Sequence, residues 1–240
     1  MAEQLARQTN GRAQIILLGR NRVSADRIIA SLPRTPEGTA PSEESQYSFI
    51  KVDATSMEEI RNLTAKLSKE FEKINFIVVS PGTLTMKGRD ETKEGIDRKM
   101  ACNFYGRFRF IYDLVHLVEA AEKRGEQTGV MSVFEAGGGS AIDLDDLGLV
   151  KRFTLKKAHD HVVTYKDAVF EVIYVPLPLS PIVITPVHLS RNSHPSIQKP
   201  LFITFSRVWS SHRRSPSTPV LGSLFPCSDQ SPFRLKSVLK

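Results

Sequence analysis

One stretch limits what this chain can fold into more than any other: Ile74-Asn75-Phe76-Ile77-Val78-Val79-Ser80-Pro81-Gly82. Apart from Asn75 its side chains are apolar up to Ser80, most are β-branched, and the run stops at a Pro-Gly pair. That is the pattern of a strand buried on both faces and ending in a turn. Such strands occupy the interior of parallel sheets. A helical pattern over residues 57–73 precedes it and a longer one over about 95–124 follows. Helix, buried strand and helix in that order predict an α/β fold with a doubly wound parallel sheet. Ligands of such sheets sit at the carboxyl ends of the strands, so Ser80 and Gly82 are the first candidate site residues, and the 74–80 strand is expected to be the most buried.

The rest of the first 171 residues repeats this alternation. Residues 2–9 read as the end of a helix stopped by Asn10-Gly11. Strands are expected near 13–18, 47–53 and 129–134, with helices over 24–32 and about 154–171. Ser56 followed by Glu59 reads as a capping box at the start of the helix that opens at Met57.

Charge and composition divide the chain. The net charge is +7, yet residues 1–171 hold 25 basic and 25 acidic side chains, so the whole excess lies in residues 172–240, with 8 basic residues against Asp229. That tail also carries 10 of the 14 prolines and 13 serines. Glu171/Val172 is therefore the expected boundary between an ordered domain, 1–171, and a Pro/Ser-rich basic tail, 172–240, that lacks a cooperative core. Short apolar segments such as Pro200 to Phe205 are the exception, since they can add to an open sheet edge. Deleting the tail is expected to leave residues 1–171 no less ordered. A basic surface for nucleic acid needs a scaffold and interleaved aromatics, and the tail offers only the Trp209 to Arg214 cluster. No nucleic-acid or membrane partner is expected: no apolar run reaches the roughly 18 residues of a membrane span. The opening Met-Ala-Glu-Gln-Leu-Ala-Arg lacks signal-peptide features, so a cytoplasmic location is expected. Cys102 and Cys227 form neither a disulfide framework nor a metal spacing.

Several motifs together resemble the short-chain dehydrogenase/reductase family, in particular its divergent fungal members found near secondary-metabolite pathways. They are Leu18-Gly19-Arg20-Asn21, Val52-Asp53-Ala54-Thr55, Ser80-Pro81-Gly82, Met100 to Gly106, and Val130 to Val133. The resemblance covers about residues 2–171. It implies a Rossmann-like sheet, hydride transfer between NADP and a carbonyl or alcohol of a small natural-product-like substrate, and a set of site residues. Arg20, Asn21, Asp53, Ala54, Ser80, Gly82 and Asn103 would line the cofactor; Asn103, Ser132 and Tyr165 would serve catalysis. An arginine just after a strand can fork onto the extra phosphate of NADP, although Arg20 reads equally as an exposed turn residue. Asp53 could accept from the adenine amine or cap a helix. Asn103, a poor helix former in mid-helix, reads as a kink or as a tolerated polar residue.

The chain also departs from that family. It opens inside the family's first helix, without the first strand and the glycine-rich phosphate loop, so NADP binding is expected to be about 10²–10³ weaker than in a complete member. Gly137-Gly138-Gly139 cannot replace the loop, because it follows a later strand and runs into Asp143, Asp145 and Asp146. The family pairs a tyrosine with a lysine four residues later, which lowers the phenol pKa. No tyrosine is read as having this partner: Tyr165 is followed at that distance by Val169, and its neighbour Lys166 points about 100° away on a helix. The tail replaces the family's last strands and reads as a retained intron or shifted frame. The alternative to an enzyme is therefore a truncated, inactive relative or interaction module.

Overall fold

The strands at Gln14–Gly19 and Phe76–Val79 grow from runs in which alternate side chains face opposite layers and both layers are apolar, whereas the strand at Gln46–Lys51 alternates exposed Gln46 and Ser48 with partly buried Tyr47 and Phe49. The computed structural model describes residues 1–133, 138–174 and 201–205. Within them β1 (Gln14–Gly19), β2 (Gln46–Lys51), β3 (Phe76–Val79), β4 (Gly129–Ser132) and β5 (Leu201–Phe205) form one sheet in the order β2-β1-β5-β3-β4. All neighbouring pairs are parallel. The helices are α1 (Ala2–Gln8), α2 (Arg22–Ser31), α3 (Met57–Glu70), α4 (Arg98–Met100), α5 (Gly106–Glu122) and α6 (Leu155–Tyr174), with a π-helical turn, Ala101–Tyr105, joining α4 to α5.

On β1, Ile16 and Leu18 enter a core with Ile60, Leu63 and Leu67 of α3 and Phe110, Leu114 and Val118 of α5. Ile15 and Leu17 point the other way, into a core with Ala6 of α1 and Ala25 of α2. Helices thus cover both faces, and the fold is the doubly wound α/β sheet. β1 and β3 are buried to a similar degree: Ile15 to Leu18 are all within 2% exposure and Ile77 to Val79 within 5%, while Gln14 of β1 and Phe76 of β3 are half-buried. A third cluster joins α6 to α4 and the π turn through Met100, Leu149, Ala158, Val162 and Tyr165.

The centre of the sheet corrects the expected role of the tail. β5 does not add to an outer edge; it lies between β1 and β3, with Ile203 opposite both Ile16 and Ile77. The reason is the accounting of backbone hydrogen bonds. Without a strand in that slot, β1 and β3 would each carry a row of unpaired N–H and C=O groups in the middle of a covered sheet. A parallel strand satisfies both rows. A segment from beyond residue 200 fills that slot. α6 likewise runs on to Tyr174, past the composition change at Glu171/Val172. Phe134, Gly137, the Trp209 to Arg214 cluster and Cys227 lie outside the described residues.

Local signals hold where they were read. Asn10 and Gly11 both take positive φ, 51° and 78°, and close α1. The capping box is half right: Ser56 Oγ accepts from Glu59 N at 3.2 Å, but the Glu59 carboxylate accepts from Asp53 N at 2.8 Å, tying the end of the β2 loop to α3.

Candidate functional site

The carboxyl ends of the strands present two groups of polar residues. The first follows β1 and β2. Arg20 is exposed directly after β1 and makes no ion pair or hydrogen bond among the described residues. Its neighbour Arg22 is occupied, by Asp26 at 2.9 Å and by the Phe49 ring at 5.7 Å. Asn21 is the N-cap of α2, its Oδ1 accepting from Ser24 N at 3.0 Å. Asp53 turns one oxygen inward, accepting at 2.9 Å from both the backbone and the hydroxyl of Thr55. Ala54 is buried, and its carbonyl explains Gly106: a Cβ at that glycine would stand 2.2 Å from Ala54 O. The bare glycine lets the start of α5 rest on the β2 loop.

The second group follows β3 and β4. Asn103 sits in the π turn, where the widened helix frees its side chain from backbone competition. Its Oδ1 accepts from Thr83 N at 2.9 Å and its Nδ2 donates to Thr83 O at 3.2 Å. It therefore fixes the turn after Ser80, which is half-buried, and Gly82. Arg107, 6% exposed, reaches the same place from the first turn of α5. Its Nε donates to Pro81 O at 2.7 Å, and its Nη1 donates to Ser132 Oγ at 3.2 Å and Val133 O at 2.6 Å. No carboxylate among the described residues pairs with it. Burial pulls this guanidinium down to about 10, partly offset by Cys102.

Tyr165 lies elsewhere, on the inner face of α6 against Phe104, 5.1 Å between ring centroids. Its hydroxyl donates to Leu147 O at 2.9 Å and stands 3.2 Å from His161 Nδ1. Because His161 Nε2 accepts from Asp143 N at 3.3 Å, the ring proton is assigned to Nδ1 and is shared with the phenol oxygen. Desolvation, with Tyr105, Asp143 and Asp146 adding negative potential, pushes the phenol up to about 12. A proton donor needs the opposite shift, so the surroundings do not prepare Tyr165 for the catalytic role expected of it.

The structure thus brings Gly82, Asn103 and Ser132 together, sets Arg20, Asn21, Asp53 and Ala54 at the neighbouring strand ends, and keeps Tyr165 in a separate core cluster. Arg107 was missed. Its signal was its place four residues after Asn103, on the same helical face. Two further spacings were missed. Tyr47 does have Lys51 four residues on, but both lie on β2, and Tyr47 Oη donates to Pro33 O at 2.5 Å, far from helix geometry. Phe153 has Lys157 four residues on at the start of α6, so the family spacing is present with a phenyl ring in place of the phenol. Lys99 Nζ lies over that ring at 5.1 Å, and Lys157 Nζ is 3.9 Å from Asp143. Among the described residues no cluster of His, Cys, Asp and Glu could hold a metal ion, and no helix is long and apolar enough to cross a membrane.

No family model matches the chain. It is similar to "Oxidoreductase AN1596" of Emericella nidulans, 31% identical over 162 residues, which are 67% of this chain and 45% of that protein. It is also similar to "Oxidoreductase andH" of Emericella variicolor, 27% identical over 152 residues, 63% of this chain and 42% of that one. The chain spans less than half the length of these curated relatives. Among solved structures, RhlG of Pseudomonas aeruginosa in an NADP complex overlays with a TM-score of 0.48 at 16% identity, covering 72% of this chain and 61% of RhlG.

Proposed function

We propose that the chain is a divergent relative of the short-chain dehydrogenase/reductases, that it binds NADP across the carboxyl ends of β1 and β3, and that it serves an oxidoreductase acting on a carbonyl or alcohol of a small natural-product-like molecule. The observation that carries this reading is Arg20, an exposed cation directly after β1 with no partner among the described residues. Such a side chain loses little by turning onto the 2′-phosphate of an adenosine ribose, and its planar fork suits two phosphate oxygens. Asp53 keeps its second oxygen for a donor on the adenine side, while Gly82 and Asn103 line the next strand end. A bound nicotinamide would supply or take the hydride.

Equilibrium titration of the 240-residue chain with NADP⁺ and NAD⁺ tests this. Wild type should prefer NADP⁺, and Arg20→Ala should remove about tenfold to hundredfold of that preference without lowering Tm. Equal loss for both dinucleotides, or no loss, would reject Arg20 as the phosphate partner.

A second reading is favoured by Tyr165. With its hydroxyl committed to Leu147 O and Phe153 standing where the Tyr-x-x-x-Lys spacing needs a phenol, the chain would be a cofactor-binding relative without turnover. Dinucleotide binding with no NADPH consumption across a panel of aldehydes and ketones would select it.

A further inference from the structure

At the other end of the sheet, where β1 and β2 begin, a cleft of about 700 Å³ opens between the stop of α1 and the loop that joins α2 to β2. Arg7, Arg12 and Arg34 line it, with Glu43 as the carboxylate among them, so three cations face one anion. The walls are fixed to each other. A Cβ on Gly11, which takes φ 78°, would stand 2.6 Å from both Arg34 C and Thr35 N, so the α1 stop and the loop touch backbone to backbone. Ser45 Oγ closes this contact, donating to Gly11 O at 2.9 Å and accepting from Thr35 N at 2.9 Å. The three guanidiniums differ in what holds them. Arg7 is paired with Glu3 at 2.7 Å along α1. Arg12 faces Glu43 at 3.6 Å, with both side chains about half exposed, and so loose a pair in water contributes little. Arg34 has no carboxylate or hydrogen-bond partner among the described residues; its guanidinium rests over the Tyr47 ring at 5.4 Å, and that ring supplies no oxygen to its N–H groups.

We propose that this cleft binds a small polyanion, a phosphorylated or polycarboxylated compound, with Arg34 and Arg12 as its main contacts and Arg7 at its margin. Each guanidinium presents a planar fork that matches two oxygens of a phosphate or carboxylate, and an anion with two or more charges engages two forks at once. The volume falls in the range of small-molecule sites, about 300–1,000 Å³. Tyr47 already orients Arg34, and the Gly11 contact sets the spacing of the two segments, so less freedom is lost on binding. Glu43 opposes any anion, and one of higher charge displaces it from Arg12. A neighbouring hollow of about 350 Å³ shares Arg34 but is lined by Glu37 and Glu44, so the anion seats on the Arg7 and Arg12 side. The cleft lies at the amino ends of the strands, whereas Arg20, Gly82 and Asn103 stand at the carboxyl ends. The proposal therefore does not rest on the oxidoreductase reading.

The test is an NMR titration of the full chain with inorganic pyrophosphate and, separately, citrate at constant ionic strength, following the amides of Gly11 and Thr35. Wild type should show saturable shifts with at least one of the two. Arg34→Gln and Arg12→Gln should each weaken that binding by about fivefold to fiftyfold. Glu43→Gln should tighten it, a gain that a merely structural carboxylate would not give. All three side chains are exposed, so none of these changes should lower Tm appreciably. Arg20→Ala, at the opposite end of the sheet, should leave the affinity as it is. Tighter binding of pyrophosphate than of citrate would assign the ligand to phosphorylated compounds, and the reverse order to polycarboxylates. Absence of saturable binding with both probes, or binding that neither Arg34→Gln nor Arg12→Gln weakens, overturns the proposal. Binding that Arg20→Ala weakens as much as Arg34→Gln does would place the anion at the carboxyl ends of the strands and overturn it as well.

Discussion

The two ends of the sheet's carboxyl edge are built in opposite ways. After β1 and β2 most of the polar side chains bond to their own neighbourhood: Asn21 to Ser24, Asp53 to Thr55, Ser56 to Glu59, and Glu59 back to Asp53, with one long-range bond, from Arg98 Nη1 to Thr55 Oγ1 at 3.4 Å. After β3 and β4 they bond across the fold: Asn103 reaches Thr83, 20 residues away, and Arg107 reaches Pro81, Ser132 and Val133, 25 or 26 residues away. The first group shapes turns and leaves Arg20 in solvent. The second welds a helix start to two strand ends through a buried guanidinium. Local bonds form wherever the turn forms; long-range bonds exist only when the sheet is assembled.

The strongest way to break this comparison is to remove what stands between the two halves. Ile203→Pro in β5 deletes a backbone donor and forces a ring into the central strand, at a cost of about 3 kcal/mol or more. The expected fall in Tm is roughly 6–12 °C, or loss of a cooperative transition altogether. An unchanged melt would mean that the halves hold together without β5 and that deletion of the tail is harmless after all.

Next in size is Gly106→Ala, where the new methyl meets Ala54 O at 2.2 Å and Ala101 O at 3.1 Å. Backbone, not a flexible side-chain end, is in the way, so the cost should approach about 3 kcal/mol. Both halves should loosen, visible as faster amide exchange at Thr55 and at Thr83. Exchange that changes at only one of them would show the halves to be independent.

The two asparagines sharpen the contrast at smaller scale. Asn103→Ala removes both bonds to Thr83 and should cost about 1–3 kcal/mol, with the loss spread to the turn after β3. Asn21→Ala removes one cap and should cost about 1 kcal/mol, confined to the first turn of α2 and recovered by Asn21→Ser. Urea melts with exchange at Thr83 and Ser24 as readouts compare them directly.

The smallest effect is alkaline. Burial holds the Tyr165 phenol up to about 12, above its ordinary 10.0, so the folded state keeps its proton longer than the unfolded chain does. Its contribution to stability is complete below pH 10 and is lost as pH rises through the folded value near 12. Tyr165→Phe should flatten that part of the stability profile, and an ultraviolet difference titration should assign Tyr165 to the late-ionising phenols. Ionisation of Tyr165 below pH 9 would restore it as a candidate proton donor.

Much of this architecture was legible in the linear order of residues. Strands and helices up to α6 follow from apolar periodicity, Asn10-Gly11 from the need for positive φ, and Ser56 from its spacing to Glu59. These are statements about neighbours in the chain. The site was legible by half. Arg20 and Asp53 could be placed because each follows a strand, and Asn103 could be singled out because asparagine is out of place in mid-helix. Arg107 gave no such sign, since an arginine in an amphipathic helix is ordinary until its guanidinium is found buried. The surroundings of Tyr165 were hidden for the same reason: its sequence context does not reveal Leu147 O or His161 beside the hydroxyl.

By itself, then, the sequence determined the alternation of elements, the parallel character of the sheet and the position of the turns, because hydrophobic period and turn chemistry act over a few residues. Only the tertiary structure decided which segment fills the centre of that sheet. Leu201–Phe205 stands in a region rich in proline and serine, and nothing within that region distinguishes it as a central strand. What selects it is the pair of unsatisfied backbone rows on β1 and β3, two strands 60 residues apart that face each other only after the helices have packed.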